Sequence, residues 1–218
     1  MPHADAEPRT VVHLVRHGEV ENPGRILYGR LPGYSLSELG RRMAGLVAAH
    51  LADRDVTHVV SSPLERARET AAPIAEAHGL PVEVDERVLE AGNLFEGLAV
   101  AGGKGLLRHP RLLLRTYNPM RPSWGEPYVD LAARMSLAIG DARRAAAGHE
   151  AVLVSHQAPI WLVRRAVEDR RLAHDPRRRR CTLASVTSLT YLGEDLLSVA
   201  YAEPAAELLP LARSGAGA

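Results

Sequence analysis

One cysteine, Cys181, is all the thiol this 218-residue chain contains, which excludes an internal disulfide and any site assembled from several thiolates, and agrees with a reducing cytosol. Lysine is as scarce: Lys104 stands alone among 27 basic residues, so arginine carries nearly all the positive charge and no single arginine is informative by itself. Aromatics make up 4% of the chain, too few to interleave with basic residues as a stacking platform for nucleic acid, so the run Arg177 to Arg180, with Arg170 and Arg171 nearby, reads as a solvated loop. Charge of one sign is lacking too. The formal net charge is +1, which leaves no global field to attract DNA, RNA or an anionic membrane. No uncharged apolar run is long enough to span a bilayer, and the polar start Met1 to Thr10 lacks the apolar stretch of a signal peptide. The expectation is a cytoplasmic protein with neither nucleic-acid nor membrane partners.

What is present suits one globular domain over 1–218. Hydrophobic residues make up 46% and charged residues 24%, close to soluble averages, and the length suffices for a core without disulfides or structural metal. Thr10 to Arg16 is β-branched and apolar, a buried strand ended by Gly18. Ser37 to Ala52 has helical spacing, with Ser37 as N-cap. Val56 to Ser61 reads as a second strand, a helix follows Pro63 and closes at Gly79, and Val82 to Val84 gives a third short strand. The stretch 92–125, rich in Gly, Pro and Arg, reads as an insertion with one helix around Leu106 to Leu114. Beyond it the pattern predicts a helix from Glu126 to Ala147, a strand from Ala151 to Ser155 and a helix opened by Pro159. A hairpin follows, with Ala184 to Leu192 and Leu196 to Tyr201 around Gly193-Glu194-Asp195. The ends, 1–9 and 213–218, are expected to be disordered. Alternating strands and helices imply an α/β fold, a three-layer α/β/α arrangement with a mostly parallel central sheet, whose chemistry should lie just after the strands.

Arg16-His17-Gly18 ends the first strand, where a rigid element can aim an imidazole and Gly18 lets backbone pass close to a ligand. Alone the triplet is weak evidence. Three further signals follow it in order: Ser61-Ser62-Pro63-Leu64-Glu65-Arg66-Ala67-Arg68-Glu69-Thr70, then Leu89-Glu90 before Gly92, then Val154-Ser155-His156-Gln157. Phosphoryl transfer through a covalent enzyme needs a nucleophile, positive donors around three oxygens, and an acid for the leaving oxygen. His17 suits the attack, with Arg16 and Arg66 favouring its neutral form by like-charge repulsion. The same two arginines offer forked donors that match phosphate oxygens. His156 could donate to those oxygens, with the Gln157 amide N–H aided by a helix dipole. His13, His58 and His78 read as packed or solvated, and Arg68 as a surface residue.

Together these segments resemble the histidine phosphatase superfamily, also called phosphoglycerate mutase-like, whose members join an R-H-G nucleophile loop to an S-x-x-x-R-x-x-x-T segment. The resemblance runs from about Val11 to Tyr201. It implies a phosphoglycerate mutase-like fold and a phosphohistidine intermediate on His17. It implies that His156 completes the phosphate pocket and that Asn22, near the family's asparagine, donates to phosphate. It makes Glu90 the acid that protonates the departing oxygen and then takes a proton from water. After that acid, mutases of the family usually carry E-R-H-Y-G-x-L-Q-G, whereas Glu90 is followed by Ala91-Gly92-Asn93-Leu94-Phe95-Glu96-Gly97, closer to the W-E-G of the family's broad phosphatases.

The expectation is therefore a metal-independent phosphatase without a cofactor, acting on a small phosphorylated molecule, with a homodimer compatible with the sequence. The competing readings are a phosphoglycerate mutase-type isomerase and a phosphate-binding regulatory protein without turnover. Arg108, Arg111, Arg115 and Arg121 in the insertion are candidates for reading the rest of an anionic substrate, on location alone.

Overall fold

The computed structural model describes residues 7–99 and 124–212. The helix expected near Leu106 to Leu114, the four insertion arginines and the end at 213–218 lie outside the described residues. Within them the order is β1 (Arg9–Arg16), α1 (Glu38–Leu51), β2 (Val56–Ser61), α2 (Glu65–His78), β3 (Glu83–Val84), α3 (Tyr128–Ala145), β4 (Glu150–Ser155), α4 (Gln157–Val167), β5 (Val186–Leu192) and β6 (Asp195–Ala202). Single 3-10 turns cover Glu86–Val88, Pro176–Arg178 and Ala206–Leu211.

The described strands form one sheet in the order β3-β2-β4-β1-β5-β6. The first four are parallel, and the β5–β6 hairpin is antiparallel. This is the α/β architecture the alternation predicts, with helices on both faces. The pleat does the sorting. Val15, Val59, Val152 and Val154 pack under Met43, Val47, Ala71 and Ile74 of α1 and α2. Val12, Leu14, Val60 and Leu153 pack on the other side against Met135, Ile139, Ile160 and Val163 of α3 and α4. Each such buried aliphatic side chain contributes about 1.5–3 kcal/mol, enough that a one-residue slip of β1 or β4 is heavily penalised.

Local signals set most boundaries. The Ser37 hydroxyl accepts the Gly40 N–H and caps α1, and Gly79 closes α2 in the left-handed region at φ 65°. Two expectations need correction. β1 begins at Arg9, paired with Leu192, because β5 is long enough to supply a partner inside the segment expected to be disordered. Helix α4 begins at Gln157, with His156 at the N-cap position but making no side-chain cap, so Pro159 sits inside its first turn and does not open it. The flanks of the stretch expected as an insertion meet side by side, with a bridge between Asn93 and Gly125 and a Glu126 N–H···O=C Gly92 bond of 3.0 Å.

Candidate active site

The carboxyl ends of β1, β4 and β2 lie side by side, and the chemistry-bearing residues follow them directly. Arg16 ends β1, Ser155 ends β4, and Ser61 ends β2. The backbone ties the three exits together: the His17 N–H donates to Ser155 O (3.1 Å), and the Ser62 N–H donates to Val154 O (3.0 Å). The His17 and His156 rings are thereby brought to a centroid separation of 5.1 Å, and neither is exposed at all.

Hydrogen bonds decide the state of both imidazoles. His17 Nδ1 lies 2.7 Å from Gly18 O, and a carbonyl only accepts, so Nδ1 carries the hydrogen and Nε2 keeps its lone pair. That Nε2 is buried without a partner among the described residues. Burial first, then the Arg66 and Arg16 guanidiniums, hold the His17 pKa well below the ordinary imidazole range, against a smaller upward pull from Gly18. Like-charge repulsion, the reason the sequence offers, is therefore the lesser cause. His156 is likewise neutral through burial and the same arginines. Its Nε2 meets the Ser62 hydroxyl at 2.9 Å, while its Nδ1 is buried and unpartnered among the described residues. With Ser62 donating to Nε2, the His156 Nδ1–H is left to serve an anion.

Arg16 and Arg66 supply the positive charge. Arg66 has no exposed surface, donates Nη2 to Gly29 O (2.6 Å), and lies over the Tyr28 ring at 4.6 Å, leaving Nε and Nη1 without partners among the described residues. Burial pulls its pKa down. Arg16 donates Nη1 to Cys181 O at 2.7 Å and keeps its Nε unpartnered among the described residues. Each guanidinium is thus fixed by one backbone carbonyl, with a donor to spare.

Glu90 is 3% exposed, so its carboxylate belongs to the interior of the site and not to the surface charge. One oxygen accepts the Ala91 N–H (2.8 Å), and the other is unpartnered among the described residues. Its backbone is pinned from three sides. Arg30 Nε and Arg134 Nη2 donate to Glu90 O at 2.7 and 3.2 Å, Arg134 Nη1 donates to Arg87 O at 2.5 Å, and the Ser155 hydroxyl donates to Val88 O at 2.7 Å. Both arginines are held by Glu126.

Asn22 has a structural task within its own loop. Its Nδ2 donates to Ile26 O and its Oδ1 accepts the Ile26 N–H, so its amide staples its own loop. Gln157 stands at the start of α4, where the first N–H groups have no intrahelical acceptor, and its side chain donates to Cys181 O at 3.3 Å. Glu96 of the Phe95-Glu96-Gly97 stretch accepts the Arg30 backbone N–H, and Gly97 takes φ 84°, roles that serve the fold. Gly18 also has a structural reason: a Cβ there would stand 2.5 Å from Gly40 O of α1. His13 is bonded to Glu150 and Ser188 and His78 to Leu51 O, while His58 only approaches Glu83 at 3.6 Å, which fits their reading as packed or solvated residues.

Sequence reasoning left Ser62 and Thr70 without tasks, although their spacing about Arg66 was visible. Ser62 orients His156. Thr70 accepts the Gly18 N–H at 3.1 Å while donating back to Arg66 O, locking the His17 loop to α2. Arg30, Arg134 and Glu126 carried no signal, since nothing in the sequence says that they meet.

Comparison with known proteins bears on what this arrangement is. The family described as the histidine phosphatase superfamily (branch 1) matches residues 12–203. A Mycobacterium tuberculosis relative named "Uncharacterized protein Rv0525" is 57% identical over 197 residues, covering 90% of this chain and 98% of that one. The solved structure of mycobacterial glucosyl-3-phosphoglycerate phosphatase Rv2419c superimposes with a TM-score of 0.69 at 31% identity, covering 89% of this chain and 96% of that one. A Yersinia pestis protein named "Probable phosphoglycerate mutase GpmB" is 31% identical over 161 residues, covering 66% of this chain and 68% of that one.

Proposed function

The chain belongs to the histidine phosphatase superfamily, and within it we propose that it is a phosphatase that hydrolyses a small phosphomonoester through a phosphohistidine on His17. The observation that carries this reading is the set of buried polar atoms, unpartnered among the described residues, at the carboxyl end of the sheet: His17 Nε2, His156 Nδ1, Arg16 Nε, and Arg66 Nε and Nη1. A lone pair beside four donors fits a phosphoryl group, whose phosphorus accepts the first and whose oxygens accept the rest.

The steps follow from that fit. Three phosphoryl oxygens take hydrogen bonds from Arg16, Arg66 and His156, with the N-terminal amides of α4 at the same end. The His17 Nε2 lone pair attacks phosphorus, the ester P–O bond breaks, and protonated Glu90 delivers its hydrogen to the departing oxygen. Gly18 O, holding Nδ1–H, favours the positive ring that forms. Glu90, now a carboxylate, takes a proton from water; the water oxygen forms a new bond to phosphorus, and the P–N electron pair returns to Nε2. The two guanidiniums supply the charge that a metal would otherwise bring, so turnover is expected to survive a chelator.

Phosphatase is favoured over mutase because the residues after Glu90 depart from the mutase pattern; similarity does not separate the two, since the phosphatase structure and the probable mutase are both 31% identical. The test is turnover of radiolabelled p-nitrophenyl phosphate with the labelled enzyme trapped by an alkaline denaturing quench, alongside an assay for 3- to 2-phosphoglycerate isomerisation. The expected result is hydrolysis and an acid-labile, alkali-stable phosphoenzyme, both abolished in His17→Ala. Unchanged turnover in His17→Ala would refute the nucleophile, and isomerisation outrunning hydrolysis would make the protein a mutase.

A further inference from the structure

Arg66 differs from the other anchored arginines in what it lacks. Arg30, Arg87, Arg134 and Arg164 each meet a carboxylate within ion-pair distance, and all four keep some contact with solvent. Arg66 has no exposed surface, yet no described carboxylate lies within ion-pair distance of it. A guanidinium taken out of water without an opposite charge loses its hydration and gains no Coulomb attraction in return. Neutral groups around it have to offset that loss.

Two consecutive residues supply them from different directions. Gly29 O accepts from Nη2 at 2.6 Å, and the Tyr28 ring covers a face of the guanidinium at 4.6 Å. The other described arginine–ring contacts are looser, at 5.4 to 5.8 Å. Tyr28 is itself held. Its ring packs on Tyr34 at 5.0 Å, its carbonyl accepts the Leu31 N–H at 2.6 Å, and the preceding Leu27 N–H donates to Leu98 O at 2.9 Å. The same ring stands edge-on to His17, at 6.5 Å and 62°, so it borders the nucleophile and the arginine clamp at once.

We propose that Tyr28 is a positioning residue of the phosphoryl site, its ring face taking the place of a counter-ion to Arg66. The inference rests on the phosphatase reading, and it says why a ring serves there better than an acid. A carboxylate at ion-pair distance would cancel the charge meant for the phosphoryl oxygens, whereas the negative face of a ring steadies the guanidinium and leaves its full charge in place. Burial first, against the pull of Arg16 and Arg66, raises the Tyr28 pKa, so the side chain is a neutral phenol and the support comes from the ring and not from a phenolate. Nε and Nη1 are thereby left for an acceptor, with no second anion competing for them among the described residues.

The test replaces Tyr28 by Phe, by 3,5-difluoro- and 3,4,5-trifluorophenylalanine, and by Leu, each with Arg66 intact and in Arg66→Met. Fluorine withdraws density from the ring face while barely altering its shape. With Arg66 present the urea midpoint should fall stepwise from Tyr28→Phe along the fluorinated series, and in Arg66→Met the steps should shrink or vanish. Site function is read with Arg66 intact, as the calorimetric Kd of inorganic phosphate and as kcat/KM for p-nitrophenyl phosphate. Relative to Tyr28→Phe, Tyr28→Leu should weaken phosphate binding by roughly five- to thirtyfold, because a guanidinium released from the ring has to be drawn back by the ligand; the upper figure is that of a desolvated cation–π pair. kcat/KM should fall by at least the same factor, since the clamp also meets the transition state. Fluorine steps of equal size in both backgrounds, or equal phosphate affinity in Tyr28→Leu and Tyr28→Phe, overturn the assignment while leaving the phosphatase reading intact. Should wild type neither bind phosphate nor hydrolyse the ester, the phosphatase reading fails by itself, and the unfolding midpoints in the two backgrounds still decide whether the ring supports Arg66.

Discussion

Two neutral imidazoles sealed inside the protein make its stability acid-sensitive in a defined window. In the folded chain, burial and the adjacent guanidiniums keep His17 and His156 unprotonated well below their ordinary 6.5. In the unfolded chain both titrate normally. Below 6.5 the unfolded state binds protons that the folded state refuses, so this contribution is complete above that pH and is lost as pH falls. With the folded rings neutral throughout, each costs about 1.4 kcal/mol between pH 7.5 and 5.5, and the pair about 2.7 kcal/mol, from the proton-binding polynomial of the unfolded imidazole. Glu150 does not enter this window: burial works to raise its pKa, but hydrogen bonds from His13 and Arg54 hold it at about 2. The comparison is wild type against His17→Asn/His156→Asn, by urea unfolding followed by circular dichroism in phosphate-free buffers at both pH values. Groups common to the two proteins cancel, His50 and His174 included. Wild type should lose about 2.7 kcal/mol more than the double variant with unchanged m-values. Equal losses would refute the argument, since they would mean that the two rings protonate as readily folded as unfolded.

Two further outcomes concern residues that touch the machinery indirectly. Ser62→Ala removes the 2.9 Å partner of His156 Nε2 and frees its tautomer, so kcat/KM for p-nitrophenyl phosphate should fall about tenfold while Tm changes little. An unchanged rate would show that the ring needs no orienting hydroxyl. Arg134→Met breaks the clamp on the Glu90 backbone, so turnover of an alkyl phosphate, which needs its leaving oxygen protonated, should drop several-fold more than that of p-nitrophenyl phosphate. Equal drops for both esters would mark Arg134 as structural only.

How much of this could be read in advance follows from how far apart the interacting residues lie. The strands were legible because β1, β2 and β4 are short, β-branched and apolar, and α1 because Ser37 caps it. Position after a strand marked His17 and His156 as candidates, but only the resemblance of the ordered set of segments to a known family raised them and Arg66 above ordinary packed or surface residues. The start of α4 was misplaced because Pro159 signals a helix N-terminus strongly, yet the helix begins two residues earlier, at the exit from β4 where His156 holds the N-cap position. The local ring that the Asn22 amide completes with Ile26 could not be read, because such an amide looks the same in sequence as one that reaches only a ligand. The Arg30–Glu126–Arg134 bridge could not be read at all: it joins residues on either side of the long stretch after Glu90, and charged residues are too common here to mark a pair.

Apart from the Ser62 hydroxyl on His156 and the Glu126 carboxylate on Arg30 and Arg134, the orienting contacts share a feature that explains why geometry outran sequence. Arg16 is fixed by Cys181 O, Arg66 by Gly29 O, His17 by Gly18 O, and the Glu90 segment through Glu90 O and Val88 O. All are backbone carbonyls, whose positions depend on the path of a loop and not on the residue that bears them. Those paths are unusual. Gly29 sits at φ 41°, where a Cβ would strike Glu96, and Ala184, which donates its N–H to His17 O, is held at φ 54° with no exposed surface. A non-glycine residue in that region costs about 1–2 kcal/mol, tolerated only where the surroundings over-determine it. Cys181 illustrates the consequence: its thiol is buried, and it is its carbonyl, receiving both Arg16 and Gln157, that serves the site. Loop conformation, set by a few strained positions between well-packed strands, is therefore what converts a recognisable set of residues into an anion-binding arrangement.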